Sequence, residues 1–92
     1  MEKIIYEILD EIKRQHEKWG VQNHHPYEWI AILGEEFGEV CKAAYETGTD
    51  GFKNKVNWEQ YRNEIIQVIA VAIDMIKNFD REHYQNESNN NV

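Results

Sequence analysis

Between Ile65 and Ile76 the chain is apolar at every position except Gln67 and Asp74. Wound as a helix, such a segment is apolar nearly all round, and helices of that kind are buried on most sides. Only two other stretches of the 92 residues carry a helical hydrophobic period. Two partner helices do not have enough surface to cover a third from every direction. The chain is therefore expected to be all-α, with three main helices, and to complete its core by homo-oligomerisation. A chain of 92 residues makes one small domain, and a core of that size is marginal on its own.

The first of the other stretches runs from Glu2 to about Trp19, with Ile4, Ile5, Ile8, Leu9 and Ile12 on one face and charged residues on the other. Gly20 is a natural stop. The second runs from Tyr27 to about Thr47, opened by Pro26, whose fixed φ suits a first helical turn. It carries Gly34 and Gly38 one turn apart. Each costs about 1 kcal/mol relative to Ala in a helix, which points to the close approach of another helix there. Gly48-Thr49-Asp50-Gly51 reads as a turn that continues as a loop to Asn57, the expected cap of the third helix. That helix is expected to end between Arg81 and Tyr84. This gives a helical domain over 1–84 and a polar, disordered tail over 85–92.

The charge balance excludes some partners. With 10 Lys+Arg against 17 Asp+Glu and a net charge of −7, no basic stripe is available to neutralise phosphates, so nucleic acid is not the expected partner. The longest apolar run, Val68 to Ile73, is far too short to span a bilayer. Met1 to Ile12 is charged throughout and has no signal-peptide character. The single Cys41 cannot form an intramolecular disulfide, and its helical setting suggests a buried or half-buried residue. These features fit a cytoplasmic protein that holds cations.

The acids are not spread evenly. Trp29, Ile32, Leu33, Phe37, Val40 and Ala44 share one face of the second helix, and Glu36 falls inside that face with Glu35 and Glu39 at its edge. A carboxylate in an apolar stripe is costly unless it is paired, protonated or bound to a cation. No basic residue stands one turn before Glu36, and Lys42 falls on the outer side. On the third helix Glu64, Gln67, Val71 and Asp74 lie within an arc of about 80°. If that arc meets the acids of the second helix across an antiparallel pair, oxygen-bearing side chains converge. Oxygen-only ligands select Mg²⁺, Mn²⁺ or Ca²⁺, and Mg²⁺ is commonly shared between a few carboxylates and a phosphorylated substrate. Asp74 reads either as part of this site, behind the ligands, or as a buried cap on a neighbouring group.

The connector from Trp19 to Pro26 has no periodicity and holds Trp19, Gln22, Asn23, His24 and His25. A ring with two amides and two imidazoles suits stacking on a base and bonding to its edge; a polar loop anchored by one Trp is the alternative. His24 and His25 are adjacent and cannot easily face one metal. His16 and His83 read as surface residues.

Glu-Glu-Phe-Gly-Glu at 35–39, followed by Glu64-Ile-Ile-Gln67 in an apolar helix, resembles the paired ExxE…ExxD signature of MazG-like nucleotide pyrophosphohydrolases. Lys18 to His24 (Lys-Trp-Gly-Val-Gln-Asn-His) and Tyr61 to Ala72 resemble a small, often phage-associated branch of that family. The resemblance covers roughly Gln15 to Asp80. It implies an all-α chain that dimerises or tetramerises into a four-helix-bundle core. It also implies Mg²⁺-dependent hydrolysis of a nucleoside triphosphate to the monophosphate and pyrophosphate, with Mn²⁺ as a substitute ion. By position, Glu36 and Glu39 match the first ligand pair, Glu64 opens the second, and Glu35 matches an additional acid. Gln67 stands where the family pattern has Asp, so the set carries one charge fewer. On this reading Glu35 or Glu39 takes the proton from the attacking water, with Trp19, Gln22, Asn23 and His24 holding the base. Lys53 and Lys55 would lie near the phosphates. A non-catalytic nucleotide- or metal-binding protein on the same scaffold is the alternative, and a purely structural bundle with surface acids is a third reading.

Overall fold

A computed structural model gives α1 (Glu2–Trp19), α2 (Pro26–Thr47) and α3 (Lys55–Asn90). The structure describes residues 1–47 and 55–90, with side chains described for 1–47 and 56–84. Among the described residues there is no strand. The expected turn at 48–51, Lys53 and the side chain of Lys55 lie outside them.

Local chemistry sets most of the boundaries. Gly20 closes α1 with φ 74°, a conformation that glycine adopts without steric cost, and its N–H donates to the His16 carbonyl at 2.8 Å. Pro26 opens α2, and the His25 carbonyl accepts from the N–H groups of Glu28 and Trp29 at 2.9 and 3.1 Å. Two expectations for α3 are corrected. The helix begins at Lys55, so Asn57 is already inside it; its side-chain amide donates at 3.0 Å to the Glu46 carbonyl, an acceptor in the last turn of α2. The helix also passes Tyr84 and runs to Asn90, since no Pro or Gly interrupts that polar segment.

Both α1 and α2 pack on α3, and among the described residues they do not pack on each other. Side-chain pairs fix the directions. Trp29 at the start of α2 reaches Asn78 late in α3, whereas Asn57 early in α3 reaches the end of α2, so these helices are antiparallel. Glu7 pairs with Arg62 and His16 with Asp74, so α1 runs parallel to α3. The buried apolar set is small: Ile12, Trp29, Ala43, Ala70 and Val71. The radius of gyration is 16.3 Å, where a compact domain of this length has about 12 Å.

Large apolar side chains remain at the surface. Ile30 and Phe37 on α2 are each 59 % exposed and Ile76 on α3 is 62 % exposed. The buried face of α2 therefore runs through Trp29, Ile32, Glu36, Val40 and Ala43, and the expected core positions Phe37 and Ala44 lie outside it. Cys41 is exposed, contrary to expectation, because it falls on the side of α2 away from Ala43. Among the described residues nothing approaches Gly34 or Gly38: a Cβ built at either meets nothing within 4 Å. Their expected close approach is not made by any described residue of the chain.

Asn78 ties the fold together at one end. Buried to 3 % exposure, its Oδ1 accepts from the Trp29 indole at 2.6 Å and from the His24 N–H at 2.8 Å. Replacing it by Ala leaves two donors without their acceptor, and an unsatisfied buried donor costs about 1–3 kcal/mol. Asn78→Ala is expected to lower unfolding free energy by about 2 kcal/mol. A urea titration that finds a loss below about 0.5 kcal/mol, within the range of an ordinary surface substitution, would contradict this.

Candidate functional site

Because α1 and α2 lie apart on α3, a cleft of about 280 Å³ opens between them with α3 as its floor. Its α1 wall carries Arg14, His16 and Trp19, its α2 wall Trp29, Ile32 and Glu36, and its floor Gln67, Val71 and Asp74. Gly20 and Gln22 close the end where α1 turns into the connector. Charge is unevenly distributed along it: the acids gather around Glu36, and the two indoles stand toward the connector.

Glu36 is half-buried, and its carboxyl is raised above the usual carboxylate range. Burial is the largest cause, followed by the charges of Glu64, Glu39, Glu11 and Glu35. The acids of α2 and α3 do face one another, as the helical arcs require. Glu64 is buried; its Oε1 accepts from the Gln60 amide at 2.6 Å, while its Oε2 is buried with no hydrogen-bond partner. Glu35 and Glu39 are exposed. Gln67 is half-buried and lines the cleft, so its side chain belongs to the polar stripe and not to the apolar core.

Helix α1 adds two charged groups that the sequence reading left out. Glu11, whose side chain is 9 % exposed, acts on Glu36 and accepts from the Arg14 Nε with both oxygens at 2.9 and 2.8 Å. The Arg14 guanidinium is held more firmly protonated, first by Glu11 and at longer range by Glu36. A basic group therefore does stand near Glu36, supplied across the cleft and not along α2. Helical register on α1 contained part of this signal. The stripe Ile5, Ile8, Ile12 continues one turn on to His16, so His16 is not a free surface residue. It is half-buried, with Nε2 3.1 Å from Asp74 Oδ1. His83 is exposed, its ring packed at a tilt against Phe79.

The connector divides into two groups. Trp19 and Gln22 line the cleft. Asn23 and His24 are instead used as fasteners. The Asn23 side-chain oxygen accepts from the Arg81 Nη2 at 3.0 Å and the Asn78 amide at 3.3 Å, and Arg81 also reaches the Gln22 carbonyl at 3.0 Å. The His24 ring packs edge-on against Trp29, with Nε2 2.8 Å from Gln22 Oε1. Of the expected substrate-binding set, Asn23 and His24 are thus engaged by the protein itself, and Lys53 and the Lys55 side chain are outside the described residues. Asn78 and Arg81 were missed, although they continue the α3 stripe Glu64, Gln67, Val71, Asp74 in steps of four and three.

The donor chemistry suits a hard divalent cation: a buried carboxylate oxygen with no partner, a neighbouring carboxyl crowded by like charge, and an amide oxygen one turn from Glu64. Among the described residues no three His, Cys, Asp or Glu side chains converge closely enough to hold a metal alone. That pattern is compatible with Mg²⁺, which usually takes one or two carboxylates and completes its shell with water and substrate phosphates. No helix among the described residues is long and apolar enough to cross a membrane. No family profile, curated protein or solved structure matches the chain.

A carboxyl whose folded pKa is raised contributes stability that is full below its unfolded pKa and is lost as pH rises through the folded one. Without divalent cations, Glu36 should therefore destabilise the fold at neutral pH relative to acid. Glu7 has the opposite sign, because its hydrogen bond to Arg62 lowers its pKa. The comparison of Glu36→Gln with the parent isolates the first effect. In chelator, Glu36→Gln should melt higher than the parent at pH 7.5, and the gap should shrink toward pH 4.5. An equal gap at both pH values would show that Glu36 is not crowded by charge.

Proposed function

We propose that the chain is a nucleoside triphosphate pyrophosphohydrolase of the MazG-like kind, acting on NTP and water to give NMP and pyrophosphate. The observation that carries this reading is one cleft joining the exposed Trp19 indole to Glu36, a half-buried carboxyl raised by burial and by the charge of Glu64 behind it. Planar bases stack on such rings at about 1–3 kcal/mol each, and phosphates need a cation to lie against carboxylates. Glu36, Glu64 and Gln67 would hold Mg²⁺ or Mn²⁺, with Glu39 one turn beyond Glu36. When bound, the ion neutralises and polarises the triphosphate.

The chain's own groups do the rest. The Trp19 indole orients the nucleotide, and Arg14 supplies positive charge to the wall opposite Glu36. A solvent-facing carboxylate, Glu39 or Glu35, takes the proton from a water whose oxygen bonds to the α-phosphorus as the bond from that phosphorus to the bridging oxygen breaks. Pyrophosphate leaves with that oxygen. The neutral amide of Gln67 favours a second reading, a nucleotide- or metal-binding protein without turnover on the same cleft.

Assembly belongs to the same proposal. The exposed Ile30, Phe37 and Ile76, together with the elongated shape, support a homodimer or homotetramer whose helices complete a four-helix-type core. Light scattering at micromolar concentration should return a multiple of 11.0 kDa. A stable folded monomer would overturn the assembly.

Pyrophosphate release from a panel of nucleoside triphosphates tests the activity. Turnover should require Mg²⁺ or Mn²⁺ and fall at least 100-fold in Glu64→Gln, the loss of one transition-state charge partner being worth about 3 kcal/mol. Gln67→Asp should tighten Mg²⁺ binding and lower the melting temperature of the metal-free protein, because another like charge enters the cluster. Nucleotide binding without pyrophosphate release would favour the second reading. Gln67→Asp with unchanged metal affinity and stability would place Gln67 outside the metal site.

A further inference from the structure

We propose that the Asp74–His16 pair reads the base, and that it selects nucleobases bearing an exocyclic amine (adenine, guanine, cytosine) over uracil and thymine. This inference rests on the nucleotide reading of the cleft. Asp74 stands on the floor at the indole end, ten residues beyond Glu64 on one helix, a separation of about 15 Å. That span leaves the sugar and phosphates between a base at one end and the acids at the other. The pair is set back from solvent, with the Asp74 side chain 15 % exposed and that of His16 27 % exposed.

The chemistry follows from what each group can offer. An ionised carboxylate only accepts hydrogen bonds, and its two oxygens have room for about four. His16 Nε2 occupies one position on Oδ1 at 3.1 Å, and it holds the carboxylate toward the cleft that both residues line. The remaining acceptor capacity matches an amine edge, as when an acidic side chain accepts from the cytosine N4 amine. The uracil or thymine edge offers one N3–H donor flanked by two carbonyls, so a carboxylate that accepts from N3–H sets its oxygens against carbonyl acceptors on either side. The neighbouring amides, Gln22 and Gln67, can offer either a donor or an acceptor and do not impose this choice. Asp74 is the lining carboxylate at this end of the cleft, and Glu36, the other lining carboxylate, belongs to the acid end.

The test is calorimetric binding to the full chain in Mg²⁺, using α,β-methylene analogues of dATP, dGTP, dCTP and dTTP, which cannot be cleaved at the bond in question. All four carry the same deoxyribose, so contacts to the sugar cancel. At least one amine-bearing base should bind about tenfold more tightly than thymine, the discrimination expected of one good edge contact. Asp74→Asn should bring the preference down to about twofold, since an amide can turn either face to the base. A second arm needs no variant: the matched analogues with purine, hypoxanthine and 2-pyrimidinone delete only the amine and should lose the same tenfold. Equal affinity for thymine, or a preference that survives Asp74→Asn or amine deletion, overturns the inference and leaves the nucleotide reading intact. Absence of binding by every analogue overturns both.

Discussion

The polar stripe along α3 is the constraint on which the rest of the structure depends. Glu64, Gln67, Asp74, Asn78 and Arg81, interrupted only by Val71, repeat at alternate steps of three and four on a helix otherwise rich in Ile, Val and Ala. At those steps they share one face. Apolar surfaces of α1 and α2 cannot cover that face without leaving polar atoms unsatisfied, so each packs on a flank of α3 and the two stay apart. The cleft is the consequence. Its connector end is sealed because Asn78 and Arg81 bind the backbone and side chains of the connector. The rest stays open between α1 and α2: Gln67 and Asp74 line it, with Asp74 held from the α1 side by His16.

This explains why some of the site was legible in the sequence and some was not. The arc from Glu64 to Asp74 and the position of Glu36 among apolar neighbours follow from helical angles alone, and the structure puts these groups on facing helices. The apolar face of α2 was read too broadly. Two strips, one through Trp29, Ile32 and Val40 and one through Ile30, Leu33 and Phe37, merge in a hydrophobic count, and only α3 decides which strip is inside. The roles of Arg14, Glu11 and His16 depend on α1 lying parallel to α3 across the cleft. No local pattern states that relation, although the register of His16 with Ile12 shows that it belongs on the inner face. Asn23 and His24 had the right chemistry for a ligand, yet α3 takes the Asn23 side chain, and the His24 ring is taken by Gln22 and Trp29.

The acid group has a cost that the remaining contacts must offset. Glu36 is pushed toward its neutral form, and Glu64 keeps a buried oxygen without a partner. A buried unsatisfied polar atom is worth about 1–3 kcal/mol against folding, a considerable share of the stability of so small a domain. Arg14 relieves part of the field, but its guanidinium is already forked on Glu11. A chain selected for stability alone would carry Leu at such positions. Their retention in a structure with so small a buried apolar set is the physical reason to read the cleft as a site and not as a packing defect.

The surface that would carry assembly is distinct from the cleft. Ile30, Leu33, Gly34, Phe37 and Val68 line a shallow apolar groove on the other strip of α2, and none of them lines the cleft. Among the described residues nothing stands over Gly34 and Gly38, room that a second copy's helix would use for close approach. Val68 follows Gln67, and successive residues on a helix are turned by about 100°, so the floor of the cleft and the wall of the groove are neighbouring faces of α3. A subunit docked in the groove would therefore stiffen α3 from the side without occupying the cleft. It would fix the spacing of Glu36 and Glu64 by holding the two helices that carry them. In that arrangement oligomerisation would supply the apolar burial that the single chain lacks, and the cleft would remain open.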